Sequence, residues 1–145
     1  MLSGRPLIDH VSAAIAPMVD AVVIVGRPGG IPDRPRADLG PLGGIAGALH
    51  HAAAQGFDSV LTVGCDMPHL PADLIGALLR RTPGYCSDAP IIGHWPVALS
   101  EPLLVHIAAS ERRSVFGWAR SIGALPIPSP TPLANINTPD DLMAL

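Results

Sequence analysis

An aspartate follows a short apolar run in Val63-Gly64-Cys65-Asp66-Met67-Pro68. Residues 59–63, Ser-Val-Leu-Thr-Val, read as a buried strand, so Asp66 stands just past a strand's carboxyl end. In open α/β sheets, ligands bind outside those ends. A carboxylate there suits Mg2+ beside a nucleotide, because Mg2+ takes one or two carboxylates plus phosphate oxygens. An Asp that merely caps the next turn has the same appearance. A second segment, Asp38-Leu39-Gly40-Pro41-Leu42-Gly43-Gly44-Ile45, sets three glycines before a helix. Glycine lets a backbone approach a ligand closely, and a helix start offers free N–H groups to an anion. A phosphate or nucleotide cradle and a tight strand-to-helix turn both fit it.

Asp33 lies in the loop after the first apolar strand. Its carboxylate either accepts from the N–H edge of a base or is a solvated turn residue. Asn135 and Asn137 put two amides on one side of an extended segment, which suits a polar heterocycle. Turn-stabilising Asn is the alternative. His94-Trp95-Pro96 could line a pocket, and Arg112-Arg113 either meets a phosphate or starts a solvated helix. His50 and His51 are adjacent on a helix and so point to different faces, which argues against a metal pair. His10, His69 and His106 have no partner in the sequence pattern.

Alternating elements must position these groups. Leu7, Ile8, Val11, Ile15 and Met18 recur at helical spacing, so residues 7–18 read as a helix. Residues 21–25 form a continuous apolar run, the mark of a buried parallel strand. A Gly/Pro/Arg/Asp-rich loop over 26–40 leads to a small-residue helix over 43–55. After the 59–63 strand, Pro71 opens a helix whose buried stripe is Leu74, Ile75, Leu78 and Leu79. Residues 89–92, 96–99 and 124–127 are short strand candidates, and 101–109 and 113–121 are helical. The run from Pro126 to Pro132 is an extended connection. Thr138-Pro139-Asp140-Asp141 carries the signals of a short terminal helix. The order predicts a single α/β domain over 1–145, with a mostly parallel sheet and helices on both faces.

Composition removes several classes. The 145 residues are 48% hydrophobic and 14% charged, which suits a packed core rather than disorder. Aromatics are only 3%, so Ala, Leu, Ile and Val must fill that core. All nine Lys+Arg positions are Arg. A Walker A loop and a Schiff base on this chain both need Lys and are excluded. A net charge of −3 gives no pull toward nucleic acid or an anionic membrane. Cys65 and Cys86 lack metal-type spacing. No signal peptide or spanning run is evident, and a cytoplasmic setting is expected.

In this order, the segments resemble the molybdenum cofactor guanylyltransferases, the molybdopterin-guanine dinucleotide biosynthesis protein A type. The matching stretches are GRPLIDHV over 4–11, GPLGGIAGAL over 40–49, CDMPHLP over 65–71, ERRSVFGWAR over 111–120 and NINTPDDL over 135–142. The resemblance implies a Rossmann-like nucleotidyltransferase fold. It implies transfer of GMP from GTP to the phosphate of molybdopterin, with Mg2+ and release of pyrophosphate. By the same resemblance Asp66 is the metal-binding and catalytic Asp that also contacts GTP. Asp33, seven residues before Gly40, matches a GTP-binding Asp, and Gly40, Pro41, Leu42, Gly43 and Gly44 match the segment near the nucleotide. Asn135 and Asn137 match two Asn on the pterin side. His94 and Pro96 resemble a His-Pro pair, with Trp95 inserted. Other proteins of cofactor biosynthesis are the expected partners.

Two departures stand out. Where the family often carries an Asn, the aligned position is Ile24. The family also begins with a buried strand, a Gly-rich loop ending in Arg-Met-Gly, and a Lys, whereas this sequence opens at the stretch that normally follows the Lys. The expectation is that Met1 is internal to a longer coding sequence and that the 145-residue chain alone is weakly active or inactive. An upstream in-frame stop codon, without coding sequence for the strand and loop, would reject that expectation. A cytidylyl- or sugar nucleotidyltransferase, or a non-catalytic pterin- or nucleotide-binding remnant, are the alternative readings.

Overall fold

A computed structural model describes residues 12–13, 15–25, 30–35, 40–64, 71–80, 82–109, 114–129 and 143–144. Asp66, Asn135, Asn137, Arg112 and Arg113 lie outside the described residues.

The strands are β1 (Ile24–Val25), β2 (Ser59–Gly64), β3 (Gly84–Cys86), β4 (Ala89–Pro96), β5 (Leu125–Ile127) and β6 (Met143–Ala144). The helices are α1 (Pro41–Ala54), α2 (Ala72–Leu79), α3 (Ser100–Ala109) and α4 (Val115–Ser121), with 3-10 turns at Ala16–Met18 and Val97–Leu99. One sheet runs in the order β1-β6-β2-β4-β3-β5. The α/β class holds, but the pairing differs from the mostly parallel expectation. Among these strands only β3 and β5 pair in parallel, while β1·β6, β6·β2, β2·β4 and β4·β3 are antiparallel. The reason is local. β3 and β4 are joined through Ser87 and Asp88, a turn too short for a parallel crossover. β6 then enters head-down between β1 and β2. The parallel character survives as direction, because β1, β2, β3 and β5 all point the same way.

Side chains along β2 alternate between two cores. Val60 joins α1, α3 and α4 through Leu42, Ile45, Leu49, Leu103, Ile107 and Trp118. Leu61 and Val63 join α2 and the residue-15 segment through Ile15, Leu74, Ile75 and Leu78. Helices therefore cover both faces of the sheet, as the alternation predicts. α1 is buried from Leu42 to Leu49, which is why its sequence is apolar all round.

Three sequence expectations shift. The candidates at 89–92 and 96–99 are one strand, β4, followed by the 3-10 turn at Val97–Leu99. Gly84–Cys86 is a strand that three residues could not signal. The start of the expected terminal helix, Thr138–Asp141, lies outside the described residues, and the described residues 143–144 form strand β6.

Candidate functional site

The site is built around the start of α1. Gly40 is its N-cap with φ 71° and ψ −163°, a backbone conformation open to glycine and strained for other residues. Pro41 takes the first helical position, where its missing N–H costs nothing. The glycine segment is thus the helix's first turn rather than a loop ahead of it. Of its members, Gly40 is exposed and Pro41 half-buried, whereas Leu42, Gly43 and Gly44 are buried. Leu42 is fully buried and its side chain packs in the core. A ligand reaching this turn meets the Gly40–Pro41 edge first.

Asp33 is brought to the same place by backbone contacts. Arg34 N–H donates to the Gly43 carbonyl at 3.0 Å. One turn further, Pro32 lies so close to Gly47 that no side chain fits between them. Ile31 N–H donates to the Ile24 carbonyl at 2.8 Å and fixes the other side of the segment to β1. Residues 31–34 are therefore clamped between β1 and the first two turns of α1. Asp33, partly exposed, rides on that clamp beside Gly43. The sequence spacing paired Asp33 with Gly40–Gly44, and the structure brings them together.

The carboxyl end of β2 lies at the same edge of the sheet. Residues 55–58 join the end of α1 to the start of β2, so helix and strand run in opposite directions. α1 has 14 residues and β2 has 6, which gives lengths of about 21 Å and 20 Å. The start of α1 is therefore level with Gly64. Met143 pairs with both Val25 and Gly64, so β6 begins at this edge too. Asp66 follows Gly64 by two residues in the sequence. Among the described residues no group of three or more His, Cys, Asp or Glu could hold a metal.

His94 is not part of this edge. It is buried in β4 between the sheet and α2. Its Nδ1 lies 2.8 Å from the Leu78 carbonyl and its Nε2 2.8 Å from Ser59 Oγ. A carbonyl only accepts, so Nδ1–H donates to it, closing one of the free carbonyls at the end of α2. Beside it, Trp95 points to the other core. Its indole N–H donates to Thr62 Oγ1 at 3.0 Å, and its ring packs at a 41° tilt against Trp118, centroids 4.7 Å apart. Sequence reasoning missed the clamp through Pro32 and Arg34, because backbone contacts leave no residue-type signature; the small side chains along α1 were its only trace.

This is the layout of a nucleotide-binding α/β domain, with a glycine-capped helix, an acidic residue beside it and the end of a central strand at one edge. Residues 1–120 match the family described as the MobA-like NTP transferase domain, and the chain belongs to that family. Its relatives include the molybdenum cofactor guanylyltransferase of Cereibacter sphaeroides, 36% identical over 97% of this chain and 81% of that protein. The protein of the same name from Rhodobacter capsulatus is 38% identical over the same shares. That of Rhizobium leguminosarum bv. trifolii is 34% identical over 98% of this chain and 79% of its own length. A crystallised protein of Aquifex aeolicus VF5 shares the fold, with a TM-score of 0.55 and 18% identity. That match covers 68% of this chain, which spans 57% of the Aquifex chain. No helix among the described residues is long and apolar enough to cross a membrane.

Proposed function

We propose that this chain transfers GMP from GTP to the terminal phosphate of molybdopterin, releasing pyrophosphate. One observation carries the reading. The clamp through Pro32 and Arg34 sets Asp33 against the first turn of α1, level with the end of β2 from which Asp66 follows. Asp33 accepts from the N–H edge of guanine, and the Gly40–Pro41 edge lets the nucleotide approach the backbone. Asn135 and Asn137, matched by resemblance to the pterin-side Asn pair, hold the pterin.

The attacking group is a phosphate, already an anion at neutral pH, so no side chain need act as general base. The task left to the protein is to bring two anions together in line. Mg2+ fits the donor set, since one carboxylate from Asp66 with nucleotide phosphates is a common arrangement; when bound, it neutralises charge at the α-phosphate. Asp66 orients that charge, and the rigid clamp orients the base. With GTP as substrate the setting is the cytoplasm, and the dinucleotide product passes to other proteins of cofactor maturation.

The test is a nucleotide panel. GTP is expected to bind at least tenfold more tightly than CTP or ATP, and Asp33→Asn is expected to remove most of that preference. In an active, longer form of the protein, Asp66→Asn is expected to lower Mg2+-dependent turnover strongly without lowering the melting temperature. Preference for CTP would move the chain to the cytidylyl branch, and wild-type turnover in Asp66→Asn would remove that residue from the site.

A further inference from the structure

Arg34 is partly buried, and its Nε atom is shut off from solvent with no hydrogen-bond partner among the described residues. Buried polar atoms are rarely left so, and an exception points to a group that completes it. The backbone gives this atom its place. Arg34 N–H donates to the Gly43 carbonyl at 3.0 Å, and Gly43 N–H donates to the Gly40 carbonyl at 3.1 Å. Four bonds separate the Arg34 Cα from Nε, so in any rotamer Nε stays within about 10 Å of the Gly43 carbonyl. We propose that Arg34 is a nucleotide-binding residue that takes a phosphate group of the bound nucleotide, through Nε–H and the neighbouring Nη–H. The proposal rests on the nucleotide reading above and adds the residue that meets the nucleotide's charge.

Two arguments select phosphate over the base. The first is charge. A guanidinium does not lose its proton in a protein, so a buried Nε–H without an acceptor leaves both a donor and a charge unanswered. A neutral acceptor such as a base carbonyl would satisfy the donor alone. An anionic phosphate satisfies both, and Nε–H with the Nη–H on the same side forms the parallel pair that fits two oxygens of one phosphate. The second is supply. Every cationic side chain in the sequence is an Arg. Among those described, Arg80 ends α2 and Arg120 lies over the Phe116 ring of α4, 5.6 Å from its centre. Arg34 is the described cation tied to the first turn of α1. A carboxylate accepts and a guanidinium donates, so the adjacent pair divides the nucleotide. Asp33 takes the N–H edge of the base, and the longer Arg34 takes phosphate. Because Nε is buried before the ligand arrives, little side-chain freedom is left to lose on binding.

The test measures the affinity of the full chain for GTP and for guanosine, by competition with a fluorescent nucleotide, and its melting without ligand. Arg34→Gln is expected to bind GTP about tenfold more weakly or worse, with guanosine within about twofold of the wild type. Arg34→Lys keeps the charge but loses the paired donors, and is expected to fall between, about threefold weaker for GTP with guanosine unchanged. Arg34→Met keeps the apolar stem and removes the unpaired donor, so it is expected to melt no lower than the wild type. Unchanged GTP affinity in Arg34→Gln would overturn the proposal. So would an equal loss for GTP and guanosine, which is what a displaced Asp33 would give, or a lowered melting temperature in Arg34→Met. A wild-type preference for CTP would refute the guanine reading alone. Arg34→Gln must then weaken CTP by the same factor and leave cytidine unchanged, or this proposal falls as well. If Arg34→Gln fails to fold, Arg34→Lys decides.

Discussion

Replacing Gly47 by Ala is the most direct test of the clamp that carries Asp33. A methyl group there would overlap the Pro32 carbonyl oxygen, with the Pro32 carbonyl carbon at 3.2 Å and Asp33 Cα at 3.5 Å. Overpacking of this kind costs about 1–3 kcal/mol. Ala in mid-helix returns about 1 kcal/mol relative to Gly. The net loss is about 0–2 kcal/mol, or roughly 0–6 °C in melting temperature at this chain length. The chain has a second escape, which is to let residues 31–34 move off the helix. Stability then changes little, but Asp33 is displaced by about 1 Å, and displacements of that size cost up to about 100-fold in function. The assay pairs thermal melting with GTP affinity, measured by competition with a fluorescent nucleotide. Gly76→Ala in α2 is the control, since a methyl there meets nothing within 4 Å. It is expected to raise the melting temperature by about 3 °C and leave GTP affinity alone. Gly47→Ala is expected either to lower the melting temperature, where residues 31–34 hold, or to weaken GTP binding by up to about 100-fold, where they move. Unchanged GTP affinity and a raised melting temperature in Gly47→Ala would refute the clamp.

Two further substitutions separate scaffold from site. His94→Ala removes the donor to Leu78 and the partner of Ser59 and opens space between β4 and α2. It is expected to lower stability by about 2–4 kcal/mol with no change in KM for GTP, measured by melting and steady-state kinetics. Thr62→Val leaves the buried Trp95 indole N–H without its acceptor. A loss of about 1–3 kcal/mol in chemical denaturation is expected, again with nucleotide affinity intact.

Periodicity located the strongly patterned elements. The apolar run at 59–63 is β2, and Leu74, Ile75 and Leu78 are the buried stripe of α2. Gly-Pro before a small-residue stretch marked the start of α1 to within two residues. The failures share a cause. β3 and β6 are three and two residues long, and such strands exist only through their neighbours. β1 is shorter than its apolar run for the same reason, because pairing rather than side-chain type ends it at Ile24. Strand direction was also illegible, since an apolar strand buried on both faces reads alike in either orientation. Of the candidate site, Asp33 and the glycines were legible by type as residues brought together at the start of α1, but the structural role of His94 was not. A buried histidine with two partners and a ligand-binding one look the same in a sequence.

The position of β6 divides the molecule by cooperativity. β2, β4 and β3 share the sheet's most extended pairings, four residues of β2 with β4 and three of β3 with β4, and form its more durable half. β1 reaches that half through β6 alone among the described strands, by a pairing of residue 25 with residue 143. Contacts so distant in sequence close late in folding and open early in native fluctuations. The segment bearing Asp33 is tied to β1 on one side and to α1 on the other, whereas Gly64 belongs to β2. The candidate site therefore straddles a seam between a stable unit and a labile one. A bound nucleotide that touches both sides would bolt that seam shut, so amide exchange in β1 and β6 should respond to GTP more than exchange in β4.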